Sequence, residues 1–171
     1  MRLLRSKKTR LRKKLDHLDI DSISKLPEPR ETWVPARISR VIDGDTVEVI
    51  FLHGKKVPMK IGMRIVNVDT PEISKAKTEL EKEAGLFVKQ KVEELLFVNN
   101  DSIEISFKKW DKYGGRIVGD IQYRKGSYLS DYLILRRYAQ IYDGKKKSKW
   151  SIHSLQGILG DSLASSNSDF P

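Results

Sequence analysis

Apolar and polar residues alternate along the first half of the chain, with interruptions at short turns. Residues 34–41 and 47–52 alternate imperfectly, and residues 57–68 alternate more regularly. A period of two residues is typical of half-buried β-strands. Residues 53–56, which include a glycine, predict a hairpin turn. The pattern therefore predicts three consecutive antiparallel strands.

The period of the pattern changes after Pro71. Residues 76–96 place apolar side chains at three- and four-residue spacing, which predicts a long amphipathic helix. Residues 102–107 and 116–123 alternate again, as expected of two further strands. A second helix is predicted over residues 128–137.

This order of elements predicts a mainly β fold with helices (α+β). It matches a five-stranded oligonucleotide-binding (OB-fold) barrel with a long helix between strands 3 and 4 and a second helix after strand 5. Two prolines in residues 25–30 mark a linker, and the chain end is rich in Ser, Gly and Asp. We therefore predict a basic N-terminal arm and linker over residues 1–30, a barrel domain over residues 31–150, and a flexible C-terminal tail over residues 151–171.

Positive charge is concentrated at the start of the chain. The 171 residues carry a formal net charge of +10, and residues 1–14 contain eight Lys or Arg and no acid. This arm is open to several interpretations: a polyanion-binding tail, a nuclear localisation signal, a basic amphipathic helix or a solvated end. Its leucines are separated by basic residues, unlike those of a secretory signal, and no apolar run in the chain is long enough to span a membrane. We expect an intracellular protein, and the basic arm leaves a nuclear or nucleic-acid-associated location open.

The chain contains no Cys and only three His, which lie far apart in the sequence. Disulfides, thiolate nucleophiles and Cys-based zinc sites are therefore excluded. Any metal ion must be held by oxygen atoms or by His.

Two acidic motifs stand out in this basic chain: residues 42–46 (Ile-Asp-Gly-Asp-Thr) and residues 64–72 (Arg-Ile-Val-Asn-Val-Asp-Thr-Pro-Glu). Taken singly, the first is typical of a hairpin turn and the second of a helix entry. Carboxylates gathered in a chain that attracts polyanions also indicate a cation site that faces phosphates. A metal-dependent nuclease is therefore the leading hypothesis.

Asp45 and Asp69 are the candidate metal-binding carboxylates. Calcium prefers several oxygen ligands, and two carboxylates with a backbone carbonyl and waters meet that preference. Both aspartates lie next to predicted strands, so a barrel can bring them to one rim. The carbonyl of Thr70, which precedes Pro71, is a candidate third ligand.

Two arginines join these motifs into a recognisable set. With Arg64 in the second motif and Arg116 after a double-glycine turn, the chain resembles the staphylococcal nuclease-like (thermonuclease) family over about residues 36–142. The resemblance implies a calcium-dependent endonuclease that hydrolyses phosphodiester bonds of single-stranded DNA, and often of RNA, and leaves 3′-phosphates. The similar stretches are residues 42–46, 64–72, 83–84 and 111–116.

The resemblance also implies roles for individual residues. It implies that Arg64, Glu72 and Arg116 are catalytic: the glutamate orients or deprotonates the attacking water, and the guanidiniums bind phosphate oxygens as charge builds up. Lysine is a poor substitute for either arginine, because an ammonium cannot donate two parallel hydrogen bonds. The single calcium ion is expected on Asp45, Asp69 and the Thr70 carbonyl.

Other candidate contacts have two explanations of similar weight. Lys112 and Tyr113 border the nucleotide site if the resemblance holds, and a tyrosine in a turn is as often a packing residue. The same holds for the basic cluster of residues 145–149 and three aromatic residues. Either the aromatic residues stack on bases and the lysines hold phosphates, or the cluster is a solvated loop and the aromatic residues belong to the core. These aromatic residues are Trp110, Tyr138 and Tyr142.

The main alternative is a non-catalytic nucleic-acid-binding module on the same barrel, since the fold does not determine the function. The acids distinguish a nuclease from a binding module. The negative charges of Asp45, Asp69 and Glu72 oppose phosphate binding unless a cation compensates them. A protein-interaction scaffold is favoured only by the basic arm. We expect a monomer.

The spacing of Arg64 and Asp69 imposes a structural requirement. Residues five positions apart on a regular strand face opposite sides of a sheet. Both must reach one cleft, so we predict a bulge or the end of the strand before Asp69.

Overall fold

The structure, a computed structural model, describes residues 30–53, 57–112, 114–145 and 147–166. The predictions for the basic arm and for Tyr113 lie outside the described residues, as does most of the predicted turn at residues 53–56. Among the helices that are described, none is both long and apolar enough to cross a membrane.

The elements follow the predicted order. The strands are β1 (Arg30–Asp43), β2 (Thr46–His53), β3 (Val57–Ile65), β4 (Val68–Asp69), β5 (Glu104–Trp110), β6 (Arg116–Arg124), β7 (Ser127–Tyr128) and β8 (Gln140–Ile141). The helices are α1 (Glu79–Val98), α2 (Leu129–Leu135) and α3 (Ile152–Ser166).

Five of the strands close into a barrel. Neighbours pair antiparallel in the order β3-β2-β1-β5-β6, and β3 pairs parallel with β6 to complete the circle. The long helix α1 lies between the third and fourth barrel strands, and α2 follows the fifth. The predicted α+β OB-fold architecture is therefore confirmed.

Alternation along the strands fills the barrel interior. Val47 and Met63 are register partners on β2 and β3, Ile105 and Ile121 are partners on β5 and β6, and all four are essentially inaccessible to solvent. Each such side chain contributes about 1.5–3 kcal/mol by leaving water. Helix α1 adds a buried stripe at four-residue spacing: Ala84, Val88, Val92 and Leu96.

Helix α1 begins with a reciprocal cap. The Thr78 hydroxyl accepts a hydrogen bond from the Glu81 amide at 3.1 Å, and the Glu81 carboxylate accepts one from the Lys77 amide at 2.8 Å. These bonds satisfy amides that have no partner within the helix. They place the start of the helix directly after the second acidic motif.

Within the predicted flexible tail over residues 151–171, residues 152–166 form α3. Leu155 and Ile158 are buried, and the helix packs against α1. Tertiary burial of an apolar face overrides a composition rich in Ser and Gly, because most helical stability in proteins comes from such packing.

Gly119 on β6 allows a close approach to β5. A Cβ atom there would lie 1.7 Å from the Ser106 carbonyl oxygen on β5. We expect Gly119→Ala to lower the free energy of unfolding by about 3 kcal/mol, because the strands must separate. Gly157→Ala is the control: its Cβ enters open space on α3, so stability should stay equal or rise by up to about 1 kcal/mol. Urea denaturation measures both, and equal midpoints for the two variants would contradict the expectation.

Candidate functional site

A turn after β3 brings Arg64 and Asp69 into one cleft. Strand β3 ends at Ile65, Asn67 adopts a left-handed φ of 60°, and the chain continues as β4, which pairs with β8 instead of extending the barrel strand. Asparagine tolerates this conformation better than most residues. The predicted end of the strand before Asp69 is confirmed.

Gly44 lets the first acidic motif pack against the second. A Cβ atom at this glycine would lie 2.7 Å from Val88 on α1 and 2.8 Å from the Thr70 hydroxyl. In this close contact the Thr70 amide donates to a carboxylate oxygen of Asp45 at 3.4 Å. The two motifs, 25 residues apart in sequence, are thereby in direct contact.

The guanidinium of Arg64 lies between the two predicted metal-binding carboxylates. It donates to Asp45 Oδ1 at 2.7 Å and to Asp69 Oδ1 at 3.4 Å, with a further bond to the Val68 carbonyl at 3.3 Å. The side chains of Asp45 and Asp69 are only 4% and 5% exposed. Tyr142 lies beneath the guanidinium, with its ring centre 5.6 Å away. The sequence therefore correctly predicted that Arg64 and both acids share one cleft.

Lys147 is a site residue that the sequence did not single out within its basic cluster. Its ammonium lies 2.6 Å from Asp69 Oδ1 and 2.5 Å from Glu72 Oε1. It stands 75 positions after Glu72, so no local spacing could have indicated the contact. Two cations, Arg64 and Lys147, thus contact the acids of this site.

Burial raises the pKa of Asp45 to about 6, and the nearby Arg64 charge only partly opposes the effect. Burial also raises the pKa of Asp69 against the opposing hydrogen bond from Lys147. For Lys147, burial by itself lowers the pKa, but the hydrogen bonds to Asp69 and Glu72 outweigh burial and the pKa is raised. The protein partners of Asp45 and Asp69 therefore do not fully offset the cost of burying these two negative charges.

Arg116 reaches the same cavity from β6, the strand that pairs with β3. Its Nε donates to Asp111 at 2.5 Å, and the two residues also close the hairpin through a backbone bond of 3.0 Å. Gly114 and Gly115 both adopt a φ of 72°, a conformation that favours glycine at each position. The double glycine therefore belongs to the backbone path that orients Arg116.

These groups line a cavity of about 850 Å³. Asp69 joins it through its contacts with Arg64 and Lys147. Tyr113 is the one predicted site residue that lies outside the described part of the chain. The other predicted residues in the lining are Asp45, Arg64, Thr70, Glu72, Lys112 and Arg116.

The aromatic candidates separate into two groups. Tyr138 is 4% exposed and packs edge-to-face against Phe87 and Tyr132, so it belongs to the core. Trp110 and Tyr142 line the cavity and are partly accessible. Among the aromatic candidates that the structure describes, Trp110 and Tyr142 can contact a bound base, whereas Tyr138 cannot.

The donor set suits a hard cation, because carboxylate and carbonyl oxygens are the preferred ligands of calcium and magnesium. Within the described residues, no cluster of three or more His, Cys, Asp or Glu is arranged to hold a metal ion. An ion here therefore has to rely on Asp45 and Asp69 together with backbone oxygen and water.

The raised pKa of Asp45 predicts that the metal-free protein gains stability from this group as the pH falls. The folded carboxyl binds its proton with a pKa of about 6, against 3.8 for an ordinary aspartate, so the gain develops between pH 6 and 4. We expect metal-free Asp45→Asn to be more stable than wild type at pH 7 by roughly 2 to 3 kcal/mol and equal to it near pH 4.

Urea denaturation with a chelator, repeated between pH 4 and 7, measures this difference. Asp101→Asn is the control, because it removes a carboxylate that is 97% exposed. A stability difference for Asp45→Asn that does not change with pH would contradict the expectation.

Comparison with known proteins agrees with the geometry. Residues 62–157, more than half of the chain, match the family model described as "Staphylococcal nuclease homologue". No curated protein matches the chain. The matched region contains Arg64, Asp69, Glu72, Arg116 and the Lys147 segment, and the barrel supplies Asp45 to the same cavity. The chain belongs to the staphylococcal nuclease homologue family.

Proposed function

We propose that this protein is a calcium-dependent nuclease that hydrolyses phosphodiester bonds of single-stranded DNA, and also of RNA, leaving 3′-phosphates. The observation that carries the proposal is the meeting of two buried carboxylates, two arginines and Glu72 around one cavity. A family of nucleases and nucleic-acid-binding barrels is the setting in which such a site is expected.

Asp45, Asp69 and the Thr70 carbonyl are the proposed ligands of one divalent cation. The raised pKa values of the two aspartates support this assignment, because they indicate negative charge that Arg64 and Lys147 leave partly uncompensated. When bound, the cation supplies Lewis-acid polarisation of a phosphate oxygen.

Arg64 and Arg116 are the proposed phosphate-binding groups. Both guanidiniums are already oriented by carboxylates, Arg64 by Asp45 and Asp69, and Arg116 by Asp111. A guanidinium has five N–H donors and keeps its charge at any working pH, so an arginine held by an acid retains donors for phosphate. Donors that are positioned in advance stabilise the charge that develops on the phosphate in the transition state.

Glu72 is the proposed general base or water-orienting group. Its side chain is 32% exposed, whereas those of Asp45 and Asp69 are 5% exposed or less. The two aspartates are therefore shielded from bulk water while the glutamate faces it. An acid at the solvent side of the cavity is suited to activate a water molecule.

The substrate proposal is supported by the rim of the cavity. Trp110 and Tyr142 offer aromatic faces on which unpaired bases can stack, and single strands expose such bases. Cations around the same rim suit a phosphate backbone. The lysines in the lining are Lys75, Lys109, Lys112, Lys145 and Lys147.

A non-catalytic nucleic-acid-binding module is the second candidate, and the contacts of Lys147 favour it. An ammonium that neutralises Asp69 and Glu72 removes much of the repulsion that these acids exert on phosphates. A barrel in this state could bind a single strand without cutting it.

Glu72→Gln separates the two functions. If Glu72 activates water, the variant should cleave single-stranded DNA in calcium at least a hundredfold more slowly and still bind it. Glu79→Gln on α1, where the side chain is 71% exposed, is the control and should cleave at the wild-type rate. Gel-based cleavage is measured with calcium and with a chelator. Cleavage that persists in Glu72→Gln or in the chelator would refute the proposed mechanism.

Arg116→Lys tests the guanidinium itself. The variant keeps the positive charge but loses the planar pair of donors, so the turnover number should fall at least tenfold. Arg37→Lys, at a side chain that is 70% exposed, is the matched control and should leave turnover unchanged. Steady-state kinetics on a fluorogenic single strand measures both variants. Equal turnover of Arg116→Lys and wild type would show that charge alone is sufficient at this position.

A further inference from the structure

Lys147 binds the two acids that the proposed reaction needs. Its ammonium contacts both Asp69, a proposed metal ligand, and Glu72, the proposed base. The residue lies between β8 and α3, in the segment 142–149, of which the structure describes all but residue 146. The Lys147 side chain is 40% exposed, whereas that of Asp69 is 5% exposed, so the cation enters from solvent towards a buried acid.

This contact hinders the proposed chemistry. An ammonium that donates a hydrogen bond to a carboxylate oxygen occupies a lone pair of that oxygen, and its charge makes the whole carboxylate a weaker base. The Oε1 atom of Glu72 is in this situation, and Asp69 Oδ1 is shared between Lys147 and Arg64. Glu72 and Asp69 therefore take their proposed roles more readily when Lys147 leaves.

The charges at the site favour an exchange of cations. Asp45, Asp69 and Glu72 with Arg64 and Lys147 form a group of three negative and two positive charges. A divalent ion that binds while Lys147 stays leaves this group with a net positive charge and places three cations on Asp69: Arg64, Lys147 and the ion. Binding that displaces Lys147 leaves the group neutral. Coulomb repulsion therefore opposes simultaneous occupation of Asp69.

The backbone around Lys147 is held at one end of the segment. The Tyr142 amide donates to the Asn67 carbonyl at 2.9 Å, and the Tyr142 ring lies against Arg64, so the start of the segment is attached to the site. Gly144, two residues after Tyr142, has a φ of 86°. Lys145 pairs with its neighbour Asp143 at 3.8 Å. The contacts of Lys147 thus connect the part of the segment beyond the glycine to the cavity.

We propose that Lys147 is an internal cation that competes with the divalent metal ion: in the metal-free protein it links the described part of the segment 142–149 to Asp69 and Glu72, and metal binding displaces it. The inference rests on the proposed function, which assigns the metal to Asp69. It adds that the site has a closed metal-free state in which Lys147 occupies one oxygen of the base.

Lys147→Met in the full chain tests the competition. Methionine removes the charge and keeps an unbranched side chain, so we expect calcium affinity, measured by isothermal titration calorimetry, to increase about tenfold. Lys145→Met is the matched control: it removes the same charge two residues earlier, where the lysine pairs with Asp143, and its affinity should stay within about threefold of wild type.

Hydrogen–deuterium exchange of the metal-free proteins supplies a readout that does not depend on metal or on activity. The segment 142–149 should exchange faster in Lys147→Met than in wild type or Lys145→Met, because the link to Asp69 and Glu72 is lost. In wild type, calcium should accelerate exchange of the same segment.

The outcomes separate this inference from the proposed function. If wild type binds calcium and Lys147→Met binds it no more tightly, or if both lysine variants gain affinity equally, the competition is refuted and the nuclease proposal stands. Unchanged exchange in Lys147→Met refutes the closed state. If the segment is released but neither protein binds calcium, the metal-dependent function fails, and the proposed competition fails with it.

Discussion

The Arg64 guanidinium, held between the buried carboxylates of Asp45 and Asp69, is the interaction on which the rest of the site depends. Like charges this close and this buried repel each other and lack solvation, and a guanidinium between them offsets both effects. The backbone meets the same requirement: Gly44 permits close contact of the two motifs, and Asn67 turns the chain so that Asp69 faces Arg64. The barrel holds these local arrangements of backbone and side chains in place.

Barrel closure determines which side chains share the cavity. Strand β3 carries Arg64, and its parallel pairing with β6 places Arg116 and Arg64 on adjacent strands although they are far apart in the sequence. The hairpin between β1 and β2 supplies Asp45 to the same rim. A fold of this kind is compatible with binding as well as with cleavage, so the functional argument comes from the set of acids and cations in the cavity.

The buried acids of the site lower the stability of the metal-free protein. The pKa of Asp45 is raised because burial outweighs the compensation that Arg64 provides. Natural proteins retain such unfavourable charges where function requires them. Lys147 supplies further compensation by contacting Asp69 and Glu72, and this contact also occupies the groups that a metal ion and a water molecule would use. The Lys147 contact that compensates the charges of these acids therefore also hinders their proposed roles in the reaction.

By itself, the sequence determined the features that arise locally. Residue periodicity specified the barrel strands and α1, the two acidic motifs specified the candidate acids, and the odd spacing of Arg64 and Asp69 required the break that Asn67 provides. The tertiary structure alone decided that Lys147 binds Asp69 and Glu72, that Tyr138 is a core residue and that α3 packs on α1. These outcomes depend on contacts between distant segments, and the free energy of such contacts comes from burial and charge pairing that no local pattern records.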